Sequence, residues 1–219
     1  VILAALNPAA IFFDLDGTLA DSIPAMRLAY QRFVERLDVV PSEEEFVALN
    51  GPPLIEIVQQ LKLTHNLGED TEALVVRYRN EVDRAYANVP LTSGARELIE
   101  TAKLRRCKLG IVTSNSAVRT KEWLAVVGIC DLIDFVVAGD HVEVGQGKPS
   151  PEPYLAAIQE ASCSVVDIIA VEDSLQGVQS AVAAGLTTFH LSNSDDQTEL
   201  PRGAISIQSL PHLMRLLAW

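Results

Sequence analysis

The sequence predicts an α/β protein in which helices cover both faces of a parallel sheet and a block of helices is inserted after the first strand. Three observations predict it. Short apolar runs at residues 9–13, 108–112, 135–138 and 168–171 show no polar alternation, as strands buried on both sides do. From residue 108 onward these runs alternate with helix-length segments, the order that gives parallel strands. Residues 22–88 carry no such run, only apolar residues at three- and four-residue spacing.

The first strand, Ala9-Ala10-Ile11-Phe12-Phe13, ends in Asp14-Leu15-Asp16-Gly17-Thr18. Side chains alternate across a strand, so Asp14 and Asp16 are expected to project from the same side of its carboxyl end. Open α/β sheets bind ligands at such ends. Two acids there can supply a nucleophile, a proton carrier and half of a metal site; a solvated Asp/Gly turn is the alternative. Asp21 or Ser22 can cap a helix to about residue 37, with Pro24 tolerated in its first turn. Ser42 and Glu45 have capping-box spacing for a short second helix. Gly51-Pro52-Pro53 is a break, and residues 54–63 and 71–86 read as two further helices. The strand at 108–112 precedes a helix at about 119–127. The strand at 135–138 precedes a helix at 150–161, with Ser150 as N-cap and Pro151 in first position. The strand at 168–171 precedes a helix ending at Gly185. A further strand is expected at 187–191, then a polar surface loop at 192–199.

The 219 residues suffice for one large domain, or for a core domain with a modest second one. With 48% hydrophobic and 21% charged residues the composition is that of a soluble globular protein, and no apolar run approaches the length of a membrane span. The apolar start, opening on Val1 and not on methionine, has no basic flank, so a cleaved signal peptide is not expected. The net charge of −12 argues against nucleic acid as a partner. It also means that an anion site needs a local cation or a cradle of N–H groups. Cys107, Cys130 and Cys163 form no metal-type pair, and buried thiols in a reducing, cytoplasmic compartment are expected.

Three more strand or loop ends are polar. Thr113-Ser114-Asn115 offers hydroxyls, an amide and backbone N–H groups suited to phosphate oxygens, or alternatively helix caps. Lys148, framed by Gly147, Pro149 and Pro151, can neutralise a phosphate or crowded carboxylates, unless it is a solvated loop lysine. Glu172-Asp173 offers hard oxygen ligands of the kind Mg²⁺ takes, or acids favoured at a helix start.

Together these four segments resemble, in order and over nearly the whole chain, the signature motifs of the haloacid dehalogenase superfamily. The helical block resembles that family's C1-type four-helix cap, and Gly51-Pro52-Pro53-Leu54 resembles the cap loop of its phosphoglycolate phosphatases. The resemblance implies a Rossmann-like core at residues 1–21 and 89–219, a cap at 22–88, and a small phosphate ester as substrate. It implies Asp14 as nucleophile, Asp16 as the proton carrier, and Lys148 with Thr113, Ser114 and Asn115 around the transferring oxygens. Mg²⁺ would be held by Asp14, the Asp16 carbonyl and Asp173, with Glu172 touching it directly or through water. Gly51 and Leu54 would face the substrate. An Asp at position 16 argues against dehalogenation and for phosphate esters. The nearest alternative is a β-phosphoglucomutase-like mutase, whose cap His and Arg are replaced here by Met26 and Leu54; a non-catalytic phosphate-binding module is the other. Arg27, Arg77 and Arg84 are possible anchors for a substrate carboxylate. Oligomeric state is left open.

Overall fold

A computed structural model describes residues 7–49, 52, 54–143, 145–192 and 199–219. The chain divides into two compact units, Val1–Ala20 with Leu91–Trp219, and Asp21–Pro90. Both crossings lie where the chain pairs with itself. Ala20 bridges Leu91, Thr92 N–H donates to the Leu19 carbonyl, and Asp21 N–H donates to the Pro90 carbonyl. The sequence reading set the units at 1–21 with 89–219 and at 22–88.

The first unit is a six-stranded sheet, all parallel, in the order β3-β2-β1-β4-β5-β6. The strands are β1 (Ala10–Phe13), β2 (Lys108–Val112), β3 (Phe135–Val137), β4 (Ile168–Glu172), β5 (Thr187–Leu191) and β6 (Ala204–Ile207). Both faces of the central strands are buried, which is why they show no polar alternation. Phe12, Ala10, Ile168 and Ala170 join one apolar cluster with Tyr154, Ala157 and Ala181; the alternate residues Ile11, Phe13, Ile169 and Val171 are equally buried on the other face. Each large side chain so buried contributes roughly 1.5–3 kcal/mol. The first strand lies centrally, and its neighbours β2 and β4 are reached by connections running in opposite directions. That makes the carboxyl ends of β1 and β4 a topological switch point, where open α/β sheets form ligand crevices.

The second unit holds α1 (Ile23–Glu35), α2 (Glu43–Ala48), α3 (Leu54–Thr64) and α4 (Thr71–Tyr86). Its core is built from their apolar faces, with Phe33 stacked on Tyr78 at 4.6 Å between ring centroids. Ser42 caps α2 by accepting from Glu45 N–H, but the capping box is only half made. The Glu45 carboxylate is instead engaged by the Tyr30 hydroxyl and by His65. Ser22 stands at the start of α1 without a side-chain cap bond.

The sheet is covered by α5 (Ala95–Leu104), α6 (Ala117–Val126), α7 (Glu152–Ala161), α8 (Leu175–Ala183) and α9 (Leu210–Leu216). Two sequence readings need correction. Ser150 does not cap α7: its N–H closes a turn onto the Gly147 carbonyl, and the helix starts at Glu152 after Pro151. Cys107 is buried, but Cys130 is exposed and Cys163 half-buried, so the thiols are not uniformly core groups. The expected loop at 192–199 lies largely outside the described residues. Among those described, no helix is long and apolar enough to cross a membrane.

Asp134, just before β3, ties three elements together. Its carboxylate accepts from the Leu109 N–H of β2 at 2.7 Å and from Lys103 of α5 at 2.8 Å. Burial by itself would raise this carboxyl, but the Lys103 ammonium and the Leu109 N–H outweigh it and hold the group below the usual carboxylate range. A depressed folded value means that the stabilisation is present above the unfolded value and is lost as pH falls through the folded one. Asp134→Ala is therefore expected to cost about 1 kcal/mol in urea melts at pH 7. The gap should close in melts taken below the ordinary carboxylate range.

Candidate active site

Strand register assembles the centre of the site. Phe13 lies level with Ile111 on one side and Val171 on the other, so the next residues, Asp14, Val112 and Glu172, stand abreast at the sheet's carboxyl edge. Asp14 N–H donates to the Val171 carbonyl, extending the ladder by one residue. Lys148 enters from the turn before α7. Its Nζ donates to Asp14 Oδ1 at 2.6 Å, to the Val112 carbonyl at 2.8 Å and to Glu172 Oε1 at 2.5 Å. Three acceptors use all three ammonium hydrogens. The Lys148 side chain is 5% exposed and that of Glu172 fully buried. Burial disfavours the Lys148 charge, but Asp14 and Glu172 outweigh it and hold the ammonium protonated above its ordinary range. Burial pushes the Asp14 carboxyl well above the usual carboxylate range, and Lys148 opposes that rise.

Two neighbours complete this cluster without having been read from the sequence. Tyr154, fully buried on α7, donates its hydroxyl to Glu172 Oε1 at 2.5 Å, and its ring lies 5.5 Å from Lys148 Nζ. His190, buried on β5, places Nε2 3.0 Å from the Asp173 carbonyl. The only signal for Tyr154 was its place on the apolar face of α7 with Pro153, Ala157 and Ala161.

Glycine makes room at two points. Gly17 has φ +83, and a Cβ there would lie 2.0 Å from Asp173 Oδ2, so the turn after β1 can close over that carboxylate. At Gly177 a Cβ would lie 2.0 Å from Glu172 Oε2, so the first turn of α8 can run directly across the buried acid. Ser174 caps that helix by accepting from Gly177 N–H.

Asp14, Glu172 and Asp173 each bring a carboxylate oxygen to within 4.8 Å of the others. Burial, then Glu172, lift the Asp173 carboxyl to about 7. Lys148 pairs with two of these three acids, Asp14 and Glu172, and the three carboxylates offer hard oxygen donors. Charge and donor chemistry both fit a divalent cation such as Mg²⁺.

The remaining sequence-derived residues divide. Asn115 Nδ2 donates to Asp16 Oδ2 at 3.2 Å. Thr113 is buried, and its hydroxyl accepts from Asn115 N–H at 3.0 Å, while Ser114 is exposed. Leu54 opens α3 and packs half-buried against the core of its own unit. Gly51 lies outside the described residues. Arg27, Arg77 and Arg84 pair with Glu43, Glu69 and Glu81 respectively, all within the helical unit.

The family model described as haloacid dehalogenase-like hydrolase matches residues 11–191, and the chain belongs to that family. A phosphorylated carbohydrates phosphatase of Thermotoga maritima is 28% identical over 212 residues, covering 95% of this chain and 97% of that protein. Fructose-1-phosphate phosphatase YqaB of Escherichia coli is 28% identical over 183 residues, covering 81% and 93%. The crystal structure of CbbY from Rhodobacter sphaeroides in complex with phosphate superposes with a TM-score of 0.80 at 25% identity, covering 97% of this chain and all of that one.

If the acidic cluster takes a divalent cation, magnesium at a hundredfold excess over its dissociation constant should stabilise the protein by about 2.7 kcal/mol. That corresponds to a rise in melting temperature of about 5–10 °C for a chain of this size. Asp173→Asn should remove most of the rise, as read by scanning calorimetry with and without the ion.

Proposed function

We propose that this phosphoric monoester hydrolase of the haloacid dehalogenase-like family releases phosphate from a phosphorylated sugar or small phosphorylated acid through an aspartyl-phosphate on Asp14. One observation carries the reading: a saturated, buried Lys148 ammonium holds Asp14 at the switch point, beside Asp16 and Asp173. Phosphoryl transfer needs a positioned nucleophile and fixed positive charge more than it needs other chemistry.

Asp14 Oδ1 is tied to Lys148, which leaves Oδ2 to attack phosphorus. The acyl phosphate so formed is a mixed anhydride that water can cleave. Asp16 gives a proton to the leaving alcohol oxygen and later takes one from the attacking water. Asp14, the Asp16 carbonyl and Asp173 would hold Mg²⁺, which when bound supplies positive charge to the transferring oxygens. With Oε1 of Glu172 already accepting from Lys148 and Tyr154, that acid serves first to fix the lysine. The N–H groups of Thr113, Asn115 and Ser116 are already committed to Val137, Thr113 Oγ1 and Asn115 Oδ1, so Ser114, through its hydroxyl and N–H, is the donor offered to phosphate oxygens after β2.

Hydrolysis is favoured over a mutase by Met26 and Leu54. Both are apolar and packed against the core of the helical unit, where neither offers a polar group for turning a sugar phosphate end for end. The names of the similar proteins, phosphatases of phosphorylated carbohydrates and of fructose 1-phosphate, favour a sugar phosphate as substrate class.

A panel of sugar phosphates and phosphoglycolate assayed with magnesium should yield inorganic phosphate; interconversion of sugar phosphates with little release would overturn hydrolysis. Asp14→Asn is expected to abolish both turnover and binding of a beryllofluoride mimic of the acyl phosphate. Lys148→Ala should lower activity by several orders of magnitude. It should also destabilise the protein by about 3–5 kcal/mol at pH 7, because two buried carboxylates lose their partner. That deficit should shrink in melts at lower pH, where the orphaned acids take up protons.

A further inference from the structure

We infer that Arg119 and Asn115 are a positioning pair that turns the Asp16 carboxylate so that one oxygen, Oδ1, carries the proton in both half-reactions. The inference rests on the reading of Asp16 as proton carrier. Arg119 lies one helical turn after Asn115, in the first turn of α6. Its Nη1 donates to Asn115 Oδ1 at 2.5 Å, and Ser116 N–H donates to the same oxygen at 3.0 Å. A guanidinium has donors only, so the amide must present its oxygen to Arg119 and its NH₂ group the other way. There Nδ2 meets Asp16 Oδ2 at 3.2 Å.

The C=O oxygen of a protonated carboxyl is its better acceptor, so the amide holds Oδ2 in that role and assigns the transferable proton to Oδ1. The backbone of Asn115 is fixed as well. Its N–H donates to Thr113 Oγ1, and its carbonyl accepts from Gly139 N–H at 2.8 Å. Asn115 thus acts on Asp16, where the sequence suggested a phosphate ligand, and Arg119 sets which way it points.

The chemistry gives this pair a signature. In the first step an Asp14 oxygen bonds to phosphorus, and the bond from phosphorus to the alcohol oxygen breaks. The leaving oxygen keeps the electron pair and takes the proton from Asp16 Oδ1. In the second step a water oxygen bonds to phosphorus, its proton goes to Asp16 Oδ1, and the bond to Asp14 breaks. An alkoxide cannot leave without the proton, whereas p-nitrophenolate can.

Arg119→Ala is expected to lower kcat/KM for glycerol 2-phosphate by about 10–100-fold, with KM changed by less than about threefold. For p-nitrophenyl phosphate, kcat/KM should fall by less than about threefold, and a burst of nitrophenol equal to the enzyme concentration should appear as the second step becomes limiting. Asn115→Ala should show the same pattern, the double variant should be no worse than Asn115→Ala, and Arg119→Lys should recover most of the loss. Equal losses on both esters, or none, would overturn the inference. Should Arg119→Ala not fold, as read by circular dichroism, the same comparison on Asn115→Ala decides it. A wild-type enzyme that frees phosphate from neither these esters nor the sugar phosphates would instead overturn the phosphatase reading itself.

Discussion

One ammonium surrounded by three oxygens organises the α/β unit. Lys148 is buried, and a charge in that setting persists only when fully paired and hydrogen-bonded. Asp14, Glu172 and the Val112 carbonyl meet that demand together. They can do so because β1, β2 and β4 are adjacent parallel strands in a register that ends all three at one level. A slip of one residue between β1 and β4 would turn one carboxylate to the opposite face of the sheet, and a slip between β1 and β2 would displace the Val112 carbonyl from the lysine.

The surroundings follow from that arrangement. Tyr154 gives Glu172 a further donor from within the apolar face of α7, so a helix that packs the core also trims the site. The glycines at positions 17 and 177 let a turn and a helix close directly over Asp173 and Glu172. Confining acids in this way raises the Asp14 and Asp173 carboxyls. Strand ends thus carry the acids, while the turn after β2 carries hydrogen-bond donors. Asn115 links the two sets through Asp16.

Much of the fold was legible because its elements carry local signals. The five residues Thr187–Leu191 and the span Thr71–Tyr86 coincide with the elements read from apolar pattern and caps. Helix α5, strand β6 and helix α9 were not read. Gly94 starts α5 in the left-handed region with no side-chain cap, so it lacks the usual start signal. Strand β6 is a four-residue edge strand, half-exposed, without the continuous apolar run of a buried one. Ser150 followed by Pro151 reads as a helix start, but the residue three positions on is Pro153, which has no N–H for the Ser150 hydroxyl to accept, and the helix begins at Glu152.

The sequence by itself determined the chemistry available: which acids end which strands, that one lysine sits in a proline-framed turn, and that a block of helices, read at 22–88, follows β1. These are local facts, set by side-chain period and turn residues. Only the tertiary structure decided which groups share a hydrogen bond. That Glu172 answers to Lys148 and Tyr154, and that the Asn115 amide meets Asp16, depends on contacts between residues well separated in the chain. Such contacts are fixed by strand register and helix packing, and no local pattern encodes the orientation of an amide or the choice between two carboxylate oxygens.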